Sequence, residues 1–164
     1  KVRGEGHFCA VLEKTGGGRK DLPLLNFSVR DKKLLKVYRE WERETLNISI
    51  DRVMQSGNNF YYIPDGSPDL AGSRFKYNEG IFLGQVSPDG KRFEPSHTLA
   101  MSLKNNEAAC IPVDEKTARD YLRGITFGTS CSGWKVVTYL NYPLGWCKAV
   151  NGTAKNHLPK GLRI

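Results

Sequence analysis

The sequence predicts an α+β fold, and three observations carry that reading. One long amphipathic helix falls near residues 31–46, short strand signals recur between Gly, Pro and Asn turns, and two short helices begin at Ser96 and Asp114. The expected architecture is a small α/β linking subdomain over residues 19–73, followed by an open β-barrel with short helices over residues 74–164. Residues 1–18 form a separate leading piece.

Taken in order, Gly4–Lys14 reads as a half-buried strand with Phe8, Ala10 and Leu12 on one side, broken by Gly16-Gly17-Gly18-Arg19-Lys20. Those glycines lack the spacing and the Lys-Ser/Thr of a phosphate loop. The helix from Asp31 to Leu46 has Ser28 or Asp31 as its cap. Leu34, Leu35, Tyr38, Trp41 and Thr45 make its inward face, while Lys32, Lys33, Lys36, Arg39, Arg43 and Glu40, Glu42, Glu44 make a mixed, solvated face. A hairpin follows, with strands at Arg52–Gln55 and Phe60–Ile63 around Gly57-Asn58-Asn59.

Strand signals resume at Gly80–Val86 and turn at Pro88-Asp89-Gly90. Ser96 caps a helix reaching Leu103, with Leu99, Ala100 and Leu103 inward and His97 in a structural or solvated role. Asp114 caps another reaching Leu122, stopped by Gly124. Strands Gly133–Tyr139 and Pro143–Val150 bend at Asn141-Tyr142, and Asn151-Gly152 is a hairpin dipeptide. Trp134 and Trp146 belong to the core, Gly145 allows close backbone approach, and Gly161 serves a turn.

Charge supplies the functional hint. The chain has 25 Lys and Arg against 17 Asp and Glu, a net charge of +8. From Tyr121 to the last residue there are six cations (Arg123, Lys135, Lys148, Lys155, Lys160, Arg163) and no carboxylate. A cationic surface interleaved with Trp134, Tyr139, Tyr142 and Trp146 points to nucleic acid. Apolar runs are too short to span a membrane. The four cysteines, Cys9, Cys110, Cys131 and Cys147, match no zinc spacing and suit a reducing cytoplasm. No metal and no catalytic residue is expected. The opening Lys-Val-Arg-Gly-Glu-Gly-His has neither Met nor leader character and reads as the interior of a longer protein.

Certain stretches are familiar. Gly133-Trp-Lys-Val-Val-Thr-Tyr-Leu-Asn-Tyr-Pro-Leu-Gly-Trp-Cys-Lys148 and Lys155-Asn-His-Leu-Pro-Lys-Gly-Leu-Arg163 resemble the C-terminal PUA-like RNA-binding domain of the NOL1/NOP2/Sun family of RNA cytosine-5 methyltransferases, in its bacterial ribosomal-RNA branch. Phe93–Ala100 and Ala118–Gly124 resemble upstream segments of the same region, and Gly4–Leu12 resembles the last strand of the family's catalytic domain. The resemblance implies a parent enzyme that uses S-adenosylmethionine and a cysteine nucleophile on ribosomal RNA, with no cofactor held by this part. Thr129-Ser-Cys131-Ser-Gly133 lacks the Asp and Pro of the nucleophile motif.

The expected role is therefore RNA binding. Lys148, Lys155, Lys160, Arg163 and Lys135 would contact phosphates, Asn156 and His157 would donate to phosphate, 2′-hydroxyl or base, and Tyr139 and Tyr142 would stack on unpaired bases. The alternative is a docking module that braces the catalytic domain or another protein, with the hairpin Phe60-Tyr61-Tyr62 as its contact.

Overall fold

The structure is a computed structural model and describes residues 23–25, 28–69, 80–104 and 106–164. The strand expected at 4–14 and the glycine-rich loop at 16–20 lie outside the described residues. Helix α1 (Lys32–Thr45) starts where Asp31, in extended conformation, accepts hydrogen bonds from the amides of Lys33 and Leu34 at 2.8 and 3.1 Å. This satisfies two of the four donors that a helix start leaves unpaired. Tyr38, Trp41 and Thr45 are buried as their spacing predicts.

Glu42 departs from expectation. Its place among charged residues predicts a solvated side chain, yet it is buried. The chain doubles back after α1 and brings the Ile50 amide over the last turn, 3.1 Å from the carboxylate. The Tyr38 hydroxyl donates to it at 2.8 Å and the Arg39 guanidinium at 2.6 Å. Three donors and one countercharge make the buried carboxylate tolerable.

The first sheet is antiparallel, in the order β1 (Val53–Ser56), β2 (Asn59–Tyr62), β3 (Ile81–Val86), β4 (Phe93–Pro95). Gly57, at φ 58°, turns the β1–β2 hairpin. β2 and β3 lie on either side of the division expected between residues 73 and 74, and they are hydrogen-bonded neighbours. Residues 80–95 therefore sit with the first sheet. α1 covers this sheet: Tyr38 stacks on Phe60 with centroids 5.1 Å apart, and Trp41 meets Phe93 at 4.6 Å. Phe60 is fully buried, while Tyr61, leaning on Phe82 at 5.4 Å, and Tyr62 are only half-buried.

The second sheet runs in the order β5 (Cys110–Pro112), β7 (Gly133–Tyr139), β8 (Tyr142–Val150), β9 (Thr153–Asn156), β6 (Phe127–Gly128). The β7–β8 turn is at Leu140 and Asn141, φ 49° and 67°, one residue before the expected Asn141-Tyr142, because Tyr142 already pairs with Tyr139 as the first residue of β8; the β8–β9 turn places Asn151 and Gly152 at 50° and 77°. Paired positive φ angles are what a tight hairpin of native twist requires. β5 pairs with β7 in parallel, a contact the sequence does not announce. Helix α2 (His97–Ser102) is capped by Ser96 and helix α3 (Glu115–Leu122) by Asp114, whose side chains accept from Leu99 N and Thr117 N at 3.0 and 2.8 Å.

Both faces of this sheet are covered. Trp134, Val136 and Trp146 join Tyr38, Trp41, Phe60 and Phe93 in one core. Val137, Cys147 and Ala154, on the other face, pack with Tyr121 and Leu158. The two sheets are thus joined by a shared core, with Trp41 and Trp146 edge-on at 5.9 Å and the Trp146 indole donating to the Ser96 carbonyl at 2.8 Å.

Candidate nucleic-acid interface

Strand register brings two of the expected cations together. Trp134 on β7 lies opposite Lys148 on β8, and Lys148 lies opposite Lys155 on β9. Directly opposed residues point to the same side of a sheet, so these three form a row. The Lys148 ammonium sits 5.5 Å from the Trp134 ring centroid, and the His157 ring packs on the same indole at 4.5 Å. A cation over an indole is held electrostatically and keeps its charge available. The His157 amide donates to the Trp146 carbonyl at 3.1 Å, which fixes the backbone beneath the imidazole. Burial, then Lys148, holds the His157 pKa below the ordinary imidazole value; Glu94 opposes this and Lys155 adds to it. The ring is therefore neutral near pH 7, able to donate one proton and accept another.

The other expected RNA contacts separate. Asn156 is engaged internally: its amide donates to the carbonyls of Tyr121 and Ile125 at 2.7 and 3.1 Å, and its oxygen accepts from the Leu158 amide at 2.8 Å. A side chain closing these bonds has no N–H left for RNA, so Asn156 is a brace for the α3–β6 connection. Arg163 donates through Nε and Nη2 to the Leu158 carbonyl at 3.2 and 3.0 Å, tying down the C-terminal segment, yet the residue stays exposed. Lys160, in the 3₁₀ turn Lys160–Leu162, is exposed. Lys135 alternates to the other face of β7 and donates its ammonium to the Trp134 carbonyl at 3.1 Å.

Tyr139 and Tyr142 oppose each other at the β7–β8 turn. They lie five residues along β7 from Trp134, about 16 Å at strand rise, at the far end of the sheet from the lysine row. Tyr142 is 73% exposed and free to stack, but on a different part of the surface. A single continuous patch of all nine residues does not form.

Sequence reasoning missed a cleft that borders the row. Trp134, Lys135 and Lys148 line one side of a cavity of about 440 Å³, and the other side comes from α1 and the β3–β4 turn, with Glu40, Glu44, Lys91 and Arg92. The adjacent pair Lys91-Arg92 after a Pro-Asp-Gly turn was visible in the sequence. Its approach to residues more than forty positions later was not. Acidic groups from the first half of the chain thus stand at the edge of the acid-free tail.

Among the described residues no group of three His, Cys, Asp or Glu could hold a metal ion. No described helix is long and apolar enough to cross a membrane. Cys131 is half-buried, its amide donating to the Thr129 hydroxyl at 3.1 Å.

Comparison with known proteins accounts for both halves. Residues 29–103 match the family model described as RsmF rRNA methyltransferase first C-terminal domain, and residues 108–164 match the one described as Methyltransferase RsmF PUA domain. The chain is similar to Ribosomal RNA small subunit methyltransferase F of Shewanella oneidensis, with 27% identity over 96% of the chain and 35% of that relative. It is similar to the proteins of the same name in Shewanella loihica, at 28% identity over 96% and 35%, and Shewanella pealeana, at 24% over 96% and 34%. The chain spans about a third of the length of the curated relatives it matches.

Proposed function

Because the chain belongs to the RsmF family of ribosomal RNA methyltransferases, whose first C-terminal domain and PUA domain it carries, we propose that it is the RNA-holding part of such an enzyme. It grips ribosomal RNA in the cytoplasm so that one cytosine reaches a catalytic domain elsewhere in the parent protein. S-adenosylmethionine would serve that domain and not these residues. The observation that carries the reading is the row Trp134–Lys148–Lys155 with His157 beside it, inside a region that matches a PUA domain.

The division of labour we propose is supported by the geometry. Lys148 and Lys155 neutralise phosphates and position the strand. His157 donates to a phosphate or a 2′-hydroxyl. Lys160 and Arg163 extend the cationic field past the end of β9. We place the division between the two domains at residues 104–107, between the two family matches. Tethering to a catalytic domain makes a modest affinity sufficient, since the second contact becomes intramolecular.

Filter binding of the chain to a single-stranded RNA across a salt series tests this. With about four phosphates neutralised on a single strand, log K falls against log salt with a slope of roughly −3. Lys148→Glu with Lys155→Glu removes about two contacts and flattens the slope by roughly 1.4. Salt-independent binding, or an unchanged slope in the double variant, refutes the reading.

A further inference from the structure

The cleft beside the lysine row is more specific than a phosphate track. Three cations face it, Lys91 and Arg92 from the β3–β4 turn and Lys148 from the second sheet. Two carboxylates, Glu40 and Glu44, face it from α1. A surface that only follows a phosphate backbone gains nothing from carboxylates, which repel it. Carboxylates among cations suit a ligand that carries both an anion and hydrogen-bond donors. Glu40 lies 3.8 Å from Lys36 on its own helix, while Glu44, one turn further on, is exposed.

The lining adds a third feature. Trp41, Phe93 and Trp134 supply aromatic walls. Carboxylate acceptors beside aromatic walls complement a base that presents an amino group. The volume of about 440 Å³ falls within the roughly 300–1,000 Å³ of small-ligand sites.

Building on the RNA-binding reading above, we infer that this cleft, between α1 and the β7–β8 sheet, receives one unpaired nucleotide of the bound RNA whose base bears an amino group. Lys91, Arg92 and Lys148 hold its phosphate. Glu44 accepts from the exocyclic amino group, as carboxylates do from cytosine N4 in groove recognition. The site is composite: neither half of the chain supplies both the base-reading carboxylates and Lys148.

The test measures equilibrium binding of labelled oligocytidylate and oligouridylate to the whole chain and to three variants, each checked by circular dichroism for an unchanged fold. The wild-type chain binds oligocytidylate several-fold more tightly than oligouridylate. Lys91→Glu with Arg92→Glu weakens oligocytidylate binding roughly tenfold by losing two phosphate contacts. Glu44→Gln removes the charge-assisted acceptor and brings the two affinities together. Lys155→Glu weakens both oligonucleotides alike, because it sits on the row and not in the cleft. If Lys155→Glu weakens binding while the Lys91/Arg92 variant binds as the wild type does, the cleft assignment is overturned and the sheet surface stands. Equal wild-type affinity for the two oligonucleotides overturns the base assignment, and no salt-dependent binding of either overturns both readings.

Discussion

Gly145→Ala should destabilise the chain by several kcal/mol, because three elements converge on a hydrogen atom there. Gly145 lies in β8 at φ 143°. A Cβ at that position would stand 2.6 Å from the Tyr121 hydroxyl of α3 and 3.2 Å from His97 Nδ1 of α2. The first contact is impossible without movement, so the tyrosine must leave its 2.9 Å bond to the Trp146 carbonyl. Backbone strain for a residue with a side chain at such a φ costs about 1–3 kcal/mol. Displacing a buried hydroxyl from its acceptor costs about 1–3 kcal/mol more. The sum, roughly 2–6 kcal/mol, is a large share of the roughly 5–15 kcal/mol that holds an ordinary domain folded. Urea denaturation followed by tryptophan fluorescence measures it. Gly161→Ala is the control: a Cβ there would have no atom within 4 Å, and the change should stay within about 0.5 kcal/mol. Tyr121→Phe supplies the decisive arm. It removes the clashing oxygen, and the Trp146 carbonyl still accepts from the His157 amide at 3.1 Å. Gly145→Ala in the Tyr121→Phe background should therefore cost at least about 1 kcal/mol less than in the wild type. A loss under about 1 kcal/mol for the single variant, or no coupling in the cycle, refutes the packing argument.

Glu42→Ala leaves the Tyr38 hydroxyl, the Ile50 amide and the Arg39 guanidinium without their shared acceptor and should cost about 3 kcal/mol, against no more than about 0.5 kcal/mol for Glu40→Ala in its exposed pair; equal urea midpoints would contradict this. Burial pushes the Cys147 thiol up to about 12, so peptide mapping after iodoacetamide at pH 8 should find Cys131 alkylated well before Cys147, and equal rates would show that β8 opens freely. His97 and His157 are both held below the ordinary imidazole range, His97 by burial and His157 by burial and then Lys148. Neutral rings favour the folded state, so this stability is present above about pH 6.5 and is lost as pH falls through the lowered values; the urea midpoint should drop between pH 7 and 5, less steeply in His157→Gln. A phosphate beside His157 raises its pKa, so RNA affinity should climb over the same interval, and a pH-flat affinity would remove His157 from the interface.

Elements governed by neighbours in the chain were legible from the residues. Asp31, Ser96 and Asp114 cap their helices because a short polar side chain reaches amides two or three positions on. Asn151-Gly152 turns because Asn and Gly tolerate positive φ, whereas Leu140 beside Asn141 is held at positive φ by the β7–β8 pairing and not by its own preference. The acid-free tail, and with it the pull toward a polyanion, is a property of composition alone. Which of its cations act together is a different matter. Register across β7, β8 and β9 lines up Trp134, Lys148 and Lys155, while five residues of strand carry Tyr139 and Tyr142 away from them. The parallel pairing of β5 with β7, the carbonyls that occupy Asn156, the donors that let Glu42 be buried, and the meeting of Lys91 and Arg92 with Lys148 all join residues distant in the chain or turn on how it folds back. No local periodicity encodes such contacts. They exist because two sheets close over one core, and that closure sets where each charge finally stands.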